Sequence, residues 1–138
     1  MGKYFNIKEL SYSRIAAEKG INNTPIGDVK RNLELLIDKC LDPIRQEYGK
    51  PITVSSGYRN YLVNQLVGGK ATSQHLKGEA ADIVGKNEKE TRRIFEIAKE
   101  QGNYDQLLFE SNKKGSVWVH ISYKAEGNRH QCIDNYIV

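Results

Sequence analysis

The sequence predicts an α+β domain in which helices come first and short, mostly antiparallel strands follow. Three observations carry that expectation. Apolar residues recur at steps of three and four from Val29 to Tyr48, the period of one helix face. Short β-branched or alternating runs occupy 51–55, 80–84, 105–110 and 117–123. The chain has 138 residues, the usual size of one domain, with no repeat, linker or low-complexity stretch, so 1–138 is expected to fold around a single core.

Taken in order, Phe5 to Leu10 and Ser13 to Lys19 read as short helical turns, the second closed by Gly20. Thr24-Pro25 predicts a cap and a first-turn proline for the long helix. That helix places Val29, Leu33, Leu36, Ile37, Cys40, Leu41, Ile44 and Tyr48 on one stripe, should bend at Pro43, and should end at Gly49. A strand over Pro51 to Ser55 precedes a short helix over Tyr61 to Val67, which Gly68-Gly69 stops. Ala80 to Val84 reads as a buried strand. Asn87 is placed to cap a helix that turns Ile94, Phe95, Ile97 and Ala98 inward before Gly102 ends it. Asp105 to Glu110 and Val117 to Tyr123 predict a hairpin across the polar stretch from Ser111 to Ser116, and no role is legible for Lys124 to Val138.

Apolar residues at 38% and charged residues at 28% exclude a disordered or fibrous chain. No segment approaches the length of a membrane span, and Met1 to Asn6 contains no apolar run, so a secretory signal is not expected. Action outside the cytoplasm would then need some other route of release. The net charge of +4 suits any polyanion, but Lys and Arg are scattered, with only pairs such as Arg92-Arg93 and Lys113-Lys114. That pattern predicts a solvated surface and no specific nucleic-acid site. A monomer is expected. Cys40 lies on the apolar stripe and should be buried; with Cys132 it makes no disulfide framework, although a single bridge stays open at this point.

The three histidines are His75, His120 and His130. In Ala80-Ala81-Asp82-Ile83-Val84 the alternation of strand side chains puts Ala80, Asp82 and Val84 on one face and Ala81 and Ile83 on the other. An aspartate in mid-strand is costly unless a cation or strong donors meet it. Small residues at Gly78, Ala80 and Ala81 leave room for backbone or ligand to approach. In Val117-Trp118-Val119-His120-Ile121-Ser122 the same alternation sets Trp118, His120 and Ser122 on the face opposite Val117, Val119 and Ile121. If these strands are close, two imidazoles and one carboxylate converge where His75 enters. That is a three-ligand zinc set with a fourth position for water. Spacing alone also fits a hydrogen-bonded core histidine and an aspartate paired with a buried arginine. His130, beside Arg129, is expected to be exposed rather than ligating.

The segment Ser73-x-His75-x-x-Gly78-x-Ala80-x-Asp82, with Trp118-Val119-His120 downstream, resembles the zinc D-alanyl-D-alanine carboxypeptidase family. Ser55-Ser56-Gly57-Tyr58-Arg59 resembles a further segment of it. The opening from Phe5 to Leu10, Gly20 to Pro25 and Leu41 to Arg45 is similar to small phage and prophage members of endolysin type. The likeness runs from Phe5 to about Tyr123. It implies a hedgehog/DD-peptidase-like fold, a small mainly antiparallel sheet packed against helices. It further implies Zn2+ on His75, Asp82 and His120, and hydrolysis of peptide bonds in bacterial peptidoglycan. The bond would be a terminal D-Ala-D-Ala or one inside a cross-link, cut after release of the protein to the wall. By the same resemblance Arg59 would polarise the scissile carbonyl, and Ser73, Gln74 and Trp118 would contact substrate; Ser73 fits equally a loop cap.

One departure stands out. Many members of that family carry an acidic general base three residues before the last histidine ligand, and that position here is Val117. Glu110 would take the role if the hairpin register sets it across from Trp118. Asp105 is the reserve, Gln106 could orient a ligand, and Glu79 should face away from Asp82. If no acid substitutes, the alternative is an inactive zinc-containing cell-wall binding module of the same fold.

Overall fold

The computed structural model describes residues 2–138. Two short helices, α1 (Ile7–Ser11) and α2 (Arg14–Lys19), open the chain. The long helical stretch follows as α3 (Gly27–Leu36), a wide π-type turn (Ile37–Leu41) and α4 (Asp42–Tyr48). Then come β1 (Thr53–Ser56), α5 (Tyr61–Leu66), a 3-10 turn (Gln74–Lys77), β2 (Ala80–Val84), α6 (Glu88–Gln101), β3 (Gln106–Ser111), β4 (Val117–Ser122) and β5 (Gln131–Ile137). The strands form one sheet in the order β1-β2-β4-β3-β5. The pairs β1–β2, β2–β4 and β3–β4 are antiparallel and β3–β5 is parallel, so the α+β expectation of a mainly antiparallel sheet on helices holds.

One sheet face makes the core. Ala81 and Ile83 of β2, Leu107 and Phe109 of β3, and Val119 and Ile121 of β4 pack against Leu33, Leu36, Ile37, Cys40, Leu41 and Ile44 of the long helix. Ile94, Phe95, Ile97 and Ala98 of α6 complete it. These are the alternate strand positions and the helical stripe that the periodicities single out, since each element must bury its apolar face against another. Asn87 does cap α6, its side-chain oxygen accepting from the Glu90 amide at 2.8 Å.

The chain departs from expectation in three places. Helix α3 starts at Gly27, not at Pro25; the Thr24 amide donates to the Asn22 side chain and Pro25 is buried ahead of the helix. Ahead of Pro43, where a bend was expected, the helix carries a π-type turn. Proline lacks an N–H and its ring crowds the carbonyl four residues back, and the π-type turn just before it widens the spiral there while keeping Ile37, Cys40, Leu41 and Ile44 inward. The Asp42 carboxylate beside it accepts from the amides of Lys3, Tyr4 and Phe5, which pins the start of the chain to α4.

The third departure is β5, which the sequence left without a role. It runs along the outer edge of β3, with Asp134 and Asn135 together opposing Phe109 in a bulge. Asn135 takes φ 63°, a left-handed conformation that asparagine tolerates better than most residues. Cys40 and Cys132 are free thiols. Cys40 donates to the Asn103 carbonyl, and burial pushes its thiol pKa up to about 12. Among the described residues no helix is long and apolar enough to cross a membrane.

Candidate metal centre

On the sheet face opposite the core, register sets Ser56, Asp82, His120 and Leu108 in one row across β1, β2, β4 and β3. Directly opposed residues of antiparallel strands have Cβ atoms about 5 Å apart, so Asp82 and His120 meet. His120 Nδ1 lies 3.0 Å from Asp82 Oδ1. His75 reaches the same carboxylate from the 3-10 turn, its Nε2 3.4 Å from Asp82 Oδ2.

What aims His75 is the carbonyl of Gly57, 2.7 Å from His75 Nδ1. A carbonyl only accepts, so Nδ1 carries the proton and Nε2 is left to face Asp82. Gly57 must be glycine for this: a Cβ there would sit 2.0 Å from the Leu10 carbonyl oxygen, which accepts the next amide, that of Tyr58. Gly78 is constrained for a different reason than the sequence suggested. Its φ is +73°, and the space a side chain would need is filled by Val29 and Leu33 of α3, not by a ligand.

The donor chemistry fits zinc. His75, Asp82 and His120 bring ligand atoms that all lie within 4.8 Å of one another. Atoms about 2.0–2.1 Å from a tetrahedral zinc are roughly 3.3 Å apart; the two imidazole–carboxylate contacts, 3.0 Å to Asp82 Oδ1 and 3.4 Å to Asp82 Oδ2, are near that spacing, each to its own oxygen. Burial alone would raise the Asp82 pKa, but His75 and His120 outweigh it and hold the carboxyl well below its ordinary range. The ionised carboxylate offers a cation one negative charge, and each imidazole offers it a lone pair once its proton has left.

Glu110 pairs with Trp118 across β3 and β4, and its Oε1 lies 3.7 Å from His120 Nδ1. Only 8% of Glu110 is exposed. Burial raises its carboxyl pKa and the Asp82 carboxylate adds to that, while His120, the Trp118 N–H and His75 reverse it only in part. Val117 is turned to the other face and packs against the core, so an acid at 117 in this strand would not point into the site.

Asp105 is fully buried, with its carboxylate occupied. Arg129 reaches it through Nη2 at 2.8 Å and Nε at 3.2 Å, the Arg129 amide donates at 2.7 Å, and Gln74 Nε2 donates at 2.9 Å. Burial works against its ionisation, and these donors overcome it, leaving the pKa well below the usual value. Gln106 donates to the Gln131 side chain rather than to a ligand.

Arg59 stands on the cleft wall beside the site. Its Nη2 is 3.3 Å from Ser73 Oγ, and its Nε is buried without a hydrogen-bond partner. Ser73 also caps its turn, accepting from the His75 amide at 3.2 Å. Glu79 is half-buried, and burial raises its pKa. His130 is exposed and stacks on Tyr104, and it is not among the residues that could share a metal with His75. An open cleft of about 690 Å³ runs over the centre, with Arg59, Ser73, Gln74, Glu110 and Trp118 on its walls together with Arg129, Tyr136 and Val138. The Gly57 carbonyl and the three wall residues of the last segment were not found from sequence. The unusual Gly57 in a polar stretch was the one available signal for the first.

A sequence profile described as Peptidase M15 matches residues 3–122. The chain is also 46% identical over 44 residues to the zinc D-Ala-D-Ala carboxypeptidase of Streptomyces albus G, which aligns 31% of this chain with 17% of that protein. The chain thus covers about a sixth of the length of that curated relative.

Proposed function

The chain belongs to the Peptidase M15 family, and from that premise we propose that it is a zinc peptidase that hydrolyses a peptide bond in bacterial peptidoglycan. The reading covers removal of a terminal D-Ala and endolysin-type cleavage inside a cross-link. The observation that carries it is the convergence of His75, Asp82 and His120, with the Glu110 carboxylate at the edge of the same donor set. A structural ion pair would not need a second buried acid at that spot.

Zinc held by these three side chains would supply Lewis acidity to the scissile carbonyl and a nucleophilic water near neutral pH. Glu110 accepts the proton of the attacking water and returns it to the leaving amine, a double duty that a carboxyl with a raised pKa suits. Arg59, on the cleft wall, sets its cation beside the oxyanion that develops on the carbonyl. Gly57 keeps His75 in the tautomer that presents Nε2. Trp118, Ser73 and Gln74 hold the peptide along the cleft. Asp105 is left out, because its carboxylate is spent on Arg129 and Gln74.

The test is digestion of purified peptidoglycan with untreated, chelated and zinc-restored protein, the fragments read by mass spectrometry. Cleavage that disappears with chelation and returns with zinc supports the proposal, and the fragment masses tell carboxypeptidase from endopeptidase. Stoichiometric zinc with no bond broken would replace it with the binding-module reading.

A further inference from the structure

We infer that the segment after β4 builds a carboxylate-binding subsite in the cleft, with Arg129 as its anchor; the inference rests on the peptidase reading above. Residues 123–138 lie beyond the part of the chain that matches the family profile. They nevertheless supply one wall of the cleft through Arg129, Tyr136 and Val138. β5 is held there by pairing with β3, the strand that also carries Leu108 and Glu110 along the cleft.

The Arg129 guanidinium is half committed. Its Nε and Nη2 edge grips Asp105, and Asp105 is itself fixed by Gln74 and Ser122. This leaves Nη1 without a hydrogen bond among the described residues, on a side chain that is 50% exposed and lines the cleft. A planar cation clamped along one edge and open along another is oriented in advance for a second carboxylate, at a smaller entropic cost than a free arginine. Lys70 lines the same cleft and adds positive charge.

Register gives the distance. The ligand row crosses β3 at Leu108, and Asp105 continues that strand three residues earlier, its N–H donating a hydrogen bond to the Ser122 carbonyl. At about 3.3 Å per residue the two levels are roughly 10 Å apart. An extended peptide lying on the centre would therefore present to Arg129 a carboxylate two to three residues from the scissile bond. Either a side-chain carboxylate or a C-terminal one offers that chemistry.

The experiment compares a synthetic stem-type peptide with two forms, one amidated on its side-chain carboxylate and one at its C-terminus. Cleavage is measured with the zinc-loaded full chain, and binding by calorimetry in the Glu110→Gln background. One of the two amides should raise KM and Kd roughly tenfold or more, and that amide identifies the carboxylate. Arg129→Gln should erase the discrimination, and Arg129→Lys should keep part of it. Because Arg129→Gln strands the buried Asp105, the comparison is repeated in Asp105→Asn/Arg129→Gln, which removes both charges; it too should not discriminate. Equal handling of all three peptides by the native chain, or discrimination that survives Arg129→Gln, overturns the inference. Discrimination in binding with no cleavage of any peptide would leave the subsite standing and remove the peptidase; cleavage without discrimination would do the reverse.

Discussion

Two aspartates, Asp105 fully buried and Asp82 partly open to the cleft, stand on the same side of the sheet, and their partners decide what each can do. Asp82 faces His75 and His120, whose ring nitrogens can turn lone pairs toward a common point. Asp105 faces Arg129, Gln74 and Ser122, all of which bring hydrogens to it. Both carboxyls are held well below their ordinary pKa, so ionisation by itself does not separate a candidate metal site from a structural ion pair. The partners do. Imidazoles that give up their protons can turn lone pairs to a cation beside the carboxylate, whereas the N–H and O–H donors around Asp105 close that site without one.

The strongest way to break that comparison is to remove each acid in turn. If the roughly 10–16 kcal/mol that holds a four-ligand zinc is shared evenly, one ligand is worth about 2.5–4 kcal/mol. Asp82→Asn should then weaken zinc binding by some hundredfold to a thousandfold, while Asp105→Asn keeps zinc near one per chain by elemental analysis. Loss of metal from the Asp105 variant alone would reverse the assignment. Next in size is Glu110→Gln, which should slow cleavage by roughly 10²–10⁴-fold at unchanged zinc content. Undiminished turnover would return the base to some other group.

Asp105→Ala should cost about 1–3 kcal/mol in urea unfolding, since it strands Gln74 and one edge of the half-exposed Arg129 without disturbing His75, Asp82 or His120. The pH dependence follows from the direction of the shift. A carboxyl whose folded pKa is depressed adds stability that is complete above its unfolded pKa of about 4 and drains away as pH falls toward the folded value. Between pH 5 and the acid limit the native chain should therefore lose more stability than Asp105→Asn does. Equal slopes would show that Asp105 is not ionised in the fold. The smallest effect belongs to Gln74, which sits beside His75 yet bonds to Asp105. Gln74→Leu should change zinc affinity by less than about tenfold, read by competition with a chelating dye.

That Asp82 and His120 share a face was legible because a strand's period of two needs no tertiary information. With Ala81 and Ile83 committed to the core, Asp82 had to point the other way, and Val119 and Ile121 fixed His120 likewise. The hairpin register that brings Glu110 opposite Trp118 was readable only as one option, since register depends on the turn and on which face is buried. β5 was hidden because its bulge at Asp134 and Asn135 breaks the alternation that marks a strand.

By itself the sequence determined the helical stripe, the inward and outward faces of the strands, and hence which imidazoles and which carboxylate share a surface. Only the tertiary structure decided that Asp105 is closed off by an arginine 24 residues away, that the Gly57 carbonyl selects the His75 tautomer, and that the last strand joins the cleft. The physical reason is range. Periodicity is a local property of the backbone, whereas the partner of a buried charge is chosen by whatever the folded chain brings within hydrogen-bond distance.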